Sequence, residues 1–328
     1  MNQPPALCYP RLVGDIGGTH ARFATVLQPD GAPVATARYR CNDFATLWEA
    51  LQHYLAACAP VHPRVGALGV ATAVTDDRVR LTNHPWSFSI SELQRQLGVE
   101  RLLVINDFSA LALALPALSA DELQQVGGGA PAPGAVIGLI GPGTGLGVSG
   151  LLPTADGRDQ IAIGGEGGHV TLSSYDPDEL PVLQWLHQSF GHVSAERVLS
   201  GPGLENLYQA ICMLDYQRKP TLSAQRITEA AMAASDQACV KALNMFCSLL
   251  GDVAGNLALT LGARSGIYIA GGIVPQLGHW FAQSSFRERF ESKGRFSEYL
   301  RAIPTYVVQA KISPALIGAS RALDMPCN

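Results

Sequence analysis

Apolar positions recur along this chain with two periods, and the alternation of the two predicts an α/β protein. Residues 12–40 hold three short apolar runs separated by turn residues, which predicts three strands, with Gly17-Gly18 between the first two. Over 44–59 the apolar residues Phe44, Leu47, Leu51 and Leu55 fall at helical spacing, with Asn42 or Asp43 as the expected cap. A near-continuous apolar run over 65–74 predicts a buried strand. The stretch 79–89 carries a turn at Asn83-His84-Pro85-Trp86, and Ser89 with Glu92 forms a capping box for a helix over 89–97. Another strand over 101–108 ends in Asn106-Asp107. Residues 135–140 run into a glycine turn and a further strand over 148–152. Helical periodicity then dominates 176–262, including one long stretch over 227–261. Strands over 267–272 and 305–309 and a helix over 314–323 complete the pattern.

The pattern repeats itself. Strand, glycine turn with threonine, strand occurs as Leu12 to Leu27 around Gly17-Gly18-Thr19, and again as Ala135 to Leu152 around Gly143-Thr144-Gly145. A distant duplication accounts for this. Gly145, Gly147 and Gly150 also match the dinucleotide fingerprint, but that fingerprint opens a helix. Val148 to Pro153 reads as a strand instead. The P-loop pattern and the protein-kinase motif set are absent; Asn106-Asp107-Phe108 is followed by Ser109, not glycine.

At 328 residues, 47% apolar and 15% charged, the chain suits two globular domains or one large one. Its formal net charge of −4 gives no basic footprint for nucleic acid. The seven cysteines are scattered without a Cys-x-x-Cys pair, as expected of reduced thiols in a cytoplasmic protein. Met1 to Pro5 shows no basic region or apolar core of a leader, and no uninterrupted apolar run suggests a membrane span.

Five places carry candidate chemistry. Gly14-Asp15-Ile16-Gly17-Gly18-Thr19 joins an acid to a glycine turn. Glycine backbone can approach phosphate oxygens closely, and an aspartate can hold Mg²⁺ through water, although strand-Gly-Gly-strand is also an ordinary hairpin. Asp107, at the end of an apolar strand, suits either a proton acceptor for a substrate hydroxyl or a helix N-cap. Glu166 and His169 stand among four glycines in Gly164-Gly165-Glu166-Gly167-Gly168-His169, where they suit a hydroxylated ligand; the glycines oppose the helix that metal ligation at this spacing needs. Glu196 is a further polar contact or the first turn of a helix, and His192 reads as structural. Gly271-Gly272 after an apolar strand can let a base or ribose lie against the backbone.

Taken in order, these segments, with Thr82 to Trp86 and His192 to Gly203, resemble the bacterial glucokinase family, the branch of hexokinase-like sugar kinases without a zinc motif. The resemblance spans nearly the whole chain. It implies a duplicated ribonuclease-H-like (actin-like ATPase) α/β fold with two domains flanking a cleft: a small domain over 1–115, with a C-terminal helix at about 310–328 packing back on it, and a large domain over 116–309. It implies transfer of the ATP γ-phosphoryl group to the 6-hydroxyl of glucose, with Asp107 as catalytic base and Asn106, Asp107, Glu166, His169 and Glu196 as sugar ligands. Gly14, Asp15, Gly17, Gly18 and Thr19 resemble the first phosphate motif, with Asp15 reaching Mg²⁺ through water. Gly143, Thr144 and Gly145 resemble the second, and Gly271 and Gly272 the adenosine motif. A cytoplasmic homodimer follows by the same analogy. Residues 166–211 hold no cysteine, so no structural zinc is expected, and His20 stands where the familiar pattern often has Asn. Rival readings are a kinase for mannose or fructose, a non-catalytic sugar-sensing member, and a phosphate donor such as polyphosphate or ADP.

Overall fold

The computed structural model describes residues 8–154, 157, 159–216, 221–310 and 312–325. The leaderless reading of Met1 to Pro5, the thiol of Cys327 and the end of the expected segment 310–328 lie outside the described residues. In chain order the elements are β1 (Arg11–Ile16), β2 (His20–Val26), β3 (Val34–Arg40), α1 (Leu47–Ala57), β4 (Val65–Val70), β5 (Arg78–Arg80), β6 (Ser87–Ser89), α2 (Ile90–Leu97), β7 (Arg101–Asn106) and α3 (Asp107–Ala114). There follow β8 (Leu123–Val126), β9 (Ile137–Pro142), β10 (Leu146–Pro153), β11 (Gln160–Ile163), α4 (Leu180–Phe190), α5 (Gly201–Tyr216), α6 (Ala224–Met232) and α7 (Gln237–Leu261). The chain closes with β12 (Ile267–Ile269), α8 (Val274–Leu277), α9 (His279–Gln283), α10 (Phe286–Glu291), α11 (Ser297–Arg301), β13 (Thr305–Val308) and α12 (Pro314–Ala322). Its contacts divide it into two compact units: residues 1–119 with 153–164 and 310–328, and residues 120–152 with 165–309.

The first unit is built on a sheet of order β3-β2-β1-β4-β7, in which β1 pairs antiparallel with β2 and parallel with β4, and β4 pairs parallel with β7. Every residue of β4 is buried, as its unbroken apolar run requires of a strand covered on both faces. On one face lie Leu12, Ile16, Phe23 and Leu68 with Leu51 and Tyr54 of α1 and Leu93 and Leu97 of α2. On the other, Val13, Ala24, Val65 and Ala67 meet Leu316, Ala319 and Leu323 of the C-terminal segment. Each fully buried leucine there stabilises the unit by about 1.5–3 kcal/mol. Arg11, itself buried, donates to the Ser320 carbonyl (2.7 Å) and to Asp324. A Cβ on Gly318 would lie 1.6 Å from the Ala110 carbonyl oxygen, so the crossing of α12 over α3 needs glycine there.

The second unit repeats the plan: its strands run β10-β9-β12-β13-β8, with β9 antiparallel to β10, parallel to β12, and β12 parallel to β13. Helix α7 is long and apolar enough to cross a membrane by length and composition, a feature the sequence reading did not anticipate. Most of that apolar stretch is buried, and Gly251 and Gly255 let the backbone of α10 approach at Phe286 and Phe290. A buried ion cluster fixes α10: Arg289 donates to Glu179 (3.0 Å) and Asp252 (3.1 Å), and Lys293 to Asp252 (3.0 Å).

Several expectations are corrected. Thr46, not Asn42 or Asp43, caps α1 by accepting from the Glu49 N–H; Cys41–Asp43 form a separate 3-10 turn. The periodic stretch over 227–261 is two helices, because Ala234 takes a positive φ of 52° and Asp236 starts α7 with its own side-chain cap. The strand expected to reach residue 108 stops at Asn106, where α3 begins. The Ser89 cap stands as expected, accepting from the Glu92 N–H at 3.1 Å.

Candidate active site

In the first unit, β1 and β2 stay paired as far as Ile16 and Ala21, and Gly17 to His20 make the turn. The Gly17 N–H is spent on the His20 carbonyl (2.9 Å), so it is not a phosphate donor. Thr19 stands exposed at the tip, and its carbonyl accepts from the Cys41 N–H (2.9 Å). A Cβ on Gly18 would come within 2.9 Å of the Asn83 Cβ, so the Thr82 to Trp86 segment lies directly against this turn. Gly14 is buried in the sheet, where Leu68 Cδ2 would meet its Cβ at 2.6 Å. Its lack of a side chain serves packing, and Gly14 leaves the set of candidate phosphate contacts.

Asp15 sits one residue before the end of β1 with its side chain 13% exposed. One oxygen, Oδ2, accepts from Arg22 Nη1 (2.9 Å) and from Ser313 Oγ (2.7 Å). Both partners hold that oxygen, and Oδ1 makes no hydrogen bond to the described residues. Neither partner was among the sequence candidates. Arg22 is readable in retrospect, since a hairpin with this turn pairs it with Asp15; Ser313 lies 298 residues away and leaves no local signal.

Asn106 and Asp107 divide the start of α3 between them. Asn106 is the N-cap: its Oδ1 accepts from the N–H groups of Phe108 (2.9 Å) and Ser109 (3.2 Å), and its Nδ2 donates to the Thr72 carbonyl (3.3 Å). Asp107 is the first residue of the helix and is half-buried, with Oδ1 2.9 Å from the Phe108 N–H. The N-cap role weighed for Asp107 therefore falls on its neighbour, although Asp107 also accepts from the Phe108 N–H. It stands at a helix N-terminus, where partial positive charge favours an anion.

In the second unit the turn is one residue shorter: Pro142 pairs with Leu146, and Gly143 to Gly145 lie between. The Gly143 N–H is closed onto the Gly145 carbonyl (2.8 Å), the Gly143 carbonyl accepts from the Gly201 N–H at the start of α5 (2.8 Å), and Thr144 is exposed at the tip. Gly271 has a φ of 82° and would place a Cβ 2.3 Å from the Pro142 carbonyl oxygen, while a Cβ on Gly272 would meet open space. The structure thus brings the Gly143 turn and the Gly271-Gly272 bend side by side, with a backbone-only surface suited to a nucleotide.

The remaining candidates gather beside that turn. Glu196 accepts from the Leu146 N–H through Oε2 (2.8 Å), and the same oxygen lies 2.4 Å from where a Gly145 Cβ would be. Glu196 is in a turn before α5, not in a helix, and its carboxylate buttresses the glycine turn, a contact the sequence did not disclose. The Glu196 N–H donates to the Gly168 carbonyl (2.8 Å) and the Ala195 N–H to the Val170 carbonyl (2.9 Å), which ties residues 193–196 to the glycine-rich loop. Gly168 must be glycine, since its Cβ would lie 2.1 Å from the Leu146 carbonyl oxygen. Glu166 and His169 are exposed on that loop, 4.0 Å apart. His192 is exposed and bonded to Thr171 Oγ1 (2.9 Å). Among the described residues no group of three or more His, Cys, Asp or Glu side chains forms a metal cluster; a cation held through water by one carboxylate needs none.

Two repeats of one sheet plan, each opened by a glycine–threonine hairpin, with an Asn-Asp pair in the first unit and a Glu-x-x-His loop in the second, define the class of actin-like sugar kinases. The solved structures agree with this. A glucokinase from an Antarctic psychrotroph superposes with a TM-score of 0.85 at 36% identity, covering 96% of this chain and 98% of that one. A ROK family glucokinase from Streptomyces griseus, in complex with glucose and AMPPNP, superposes with a TM-score of 0.64 at 18% identity over 96% of this chain and 99% of that one, a likeness of fold alone. The Glucokinase family profile matches residues 12–325, and the chain belongs to that family. It is 55% identical to the glucokinase of Aromatoleum aromaticum over 317 residues, 96% of this chain and 95% of the relative.

Proposed function

We infer that this chain transfers the terminal phosphoryl group of ATP to the 6-hydroxyl of D-glucose. The observation that carries the reading is the division of labour at the start of α3. Asn106 is the N-cap of α3, and Asp107, the first residue of that helix, is a half-buried carboxylate at the carboxyl end of a parallel strand, where ligands of α/β sheets gather. Family membership and the backbone surface at Gly143 and Gly271-Gly272 support the choice of substrates.

Phosphoryl transfer passes through a loose transition state, so positioning and charge neutralisation outweigh base strength. In this reading Asp107 orients the 6-hydroxyl and takes its proton late. Asn106, with its amide already turned to Thr72, and Glu166, His169 and Glu196 hold the sugar. Gly18 and Thr19 contact the phosphates in the first unit, Thr144 and Gly145 do so in the second, where the Gly143 N–H closes the turn as the Gly17 N–H does in the first, and Gly271-Gly272 lie along the adenosine. Mg²⁺ supplies offset of the phosphate charge when bound. Asp15 fits it, because Arg22 and Ser313 occupy Oδ2, and Oδ1, which makes no hydrogen bond to the described residues, would hold the cation through water. The same reading takes the two units as the small and large domains of a cytoplasmic homodimer, which light scattering on the purified protein tests.

A coupled assay across glucose, mannose and fructose with ATP, ADP and polyphosphate decides the matter. The expected result is the highest kcat/KM with glucose and ATP. Turnover of another hexose at higher kcat/KM, or none of any sugar, refutes the reading.

A further inference from the structure

The outer edge of the first unit's sheet carries an unclaimed concentration of positive charge. Across β2 and β3, His20 pairs with Arg40 and Arg22 with Arg38. Residues directly opposite in an antiparallel pair share a face and lie about 5 Å apart at Cβ. The guanidinium of Arg38 lies over the His20 ring, with Nη2 3.3 Å from Nδ1 and 3.2 Å from Nε2. Such even distances describe a cation stacked on the ring, not one directed hydrogen bond. Among the described residues, Arg22 is the one of the three arginines in an ion pair, with Asp15. Arg38 and Arg40 are exposed and make no ion pair with the described residues.

This is not what the composition would place there. The chain has 27 acidic residues against 23 basic ones. Yet the groups facing His20 from its own strand and the adjoining one are Arg22, Arg38 and Arg40, and from β1 only Asp15, already shared between Arg22 and Ser313. Like charges at this spacing repel, and partial burial with Arg38, Arg22 and Arg40 nearby holds the His20 imidazole below its ordinary value. An arrangement that repels itself without an anion is stabilised by one, and guanidinium forks match the oxygens of a phosphate group. The edge also adjoins the first glycine turn, because the N–H of Cys41, next in sequence to Arg40, holds the Thr19 carbonyl.

We propose that the face formed by His20, Arg22, Arg38 and Arg40 is an anion site for a dianionic phosphate group, separate from the glycine turns assigned to the phosphate donor. The group is either free inorganic phosphate or the phosphate of a small monoester. Binding draws Arg22 toward the anion, and so bears on the arginine that restrains Asp15.

The test uses the full-length protein saturated with glucose and AMPPNP, so that the donor and sugar contacts are filled. It is titrated with inorganic phosphate and, separately, with phenyl phosphate, and read by calorimetry and by the histidine ring resonances. Saturable binding with a rise in the His20 pKa is expected, because an adjacent anion favours the imidazolium. Arg38→Gln and Arg40→Gln, each checked for an unchanged melting curve, should each weaken it about tenfold. Equal binding of both ligands assigns the site to the phosphate group itself, and binding of phosphate alone assigns it to the free ion; both outcomes uphold the site. No saturable binding to the AMPPNP-saturated protein, affinity unchanged in both variants, or His20 resonances that do not move would each overturn it.

Discussion

In the first hairpin Asp15 stands opposite Arg22 one pair before the turn; at the matching place in the second hairpin stand Gly141 and Gly147. Both turns close their first N–H on their own backbone and expose a threonine at the tip. The first is therefore a charged turn and the second a turn made of backbone. Charge in the second unit comes from outside the hairpin, in the Glu196 carboxylate that accepts from the Leu146 N–H and in the buried cluster of Arg289, Glu179 and Asp252 that fixes α10 to its neighbours. In the proposed function, one fold plan used twice carries two kinds of ligand contact. A hydrated cation needs a fixed carboxylate oxygen, whereas a nucleotide lying along the chain needs the absence of side chains.

The largest effect that sharpens this contrast is at Asp107. Asp107→Asn should lower kcat by about 100- to 10,000-fold while glucose binding, followed by intrinsic fluorescence, largely survives; near-normal turnover would remove Asp107 as the base. Next is Arg289→Met in the second unit. It strands buried carboxylates, so a loss of about 3–5 kcal/mol in denaturant unfolding is expected, with the kinetic constants of the remaining folded enzyme little changed. A mild loss of stability with a large change in KM would mean that the cluster serves the site and that the contrast is misdrawn.

A smaller effect is expected for Gly145→Ala. Its Cβ displaces the Glu196 carboxylate from the Leu146 N–H, and a hydrogen bond to a charged group is worth about 1.5–3 kcal/mol. Glucose KM should rise about tenfold or more, and an unchanged KM would show that Glu196 acts on the turn alone. The smallest is Ser313→Ala, which removes one of two donors to Asp15 Oδ2. Direct binding of Mn²⁺, measured by electron paramagnetic resonance in the presence of AMPPNP, should weaken a few-fold, by about 1 kcal/mol, with Ser313→Thr restoring it. Equal binding in all three proteins would detach Asp15 from the metal.

The plan of alternating strands and helices was legible because buried strands and amphipathic helices write their periods into the chain, as β4 and the Ser89 cap show. Boundaries were less so. The break at Ala234 hides inside an unbroken helical rhythm, since alanine at positive φ has no sequence signature. The short β8, β11 and the helices over 274–301 carry too few residues to establish a period.

The sequence by itself determined which residue types the candidate site offers, because acids, glycines and threonines at close spacing are local facts. Tertiary structure alone decided their employment. It gave the helix cap to Asn106 and not Asp107, set Glu196 on the Leu146 N–H, buried Gly14 against Leu68, and brought Ser313 from the far end of the chain to Asp15. Such roles depend on which elements pack together, and that is fixed by burial summed over the whole unit, not by any segment's own pattern.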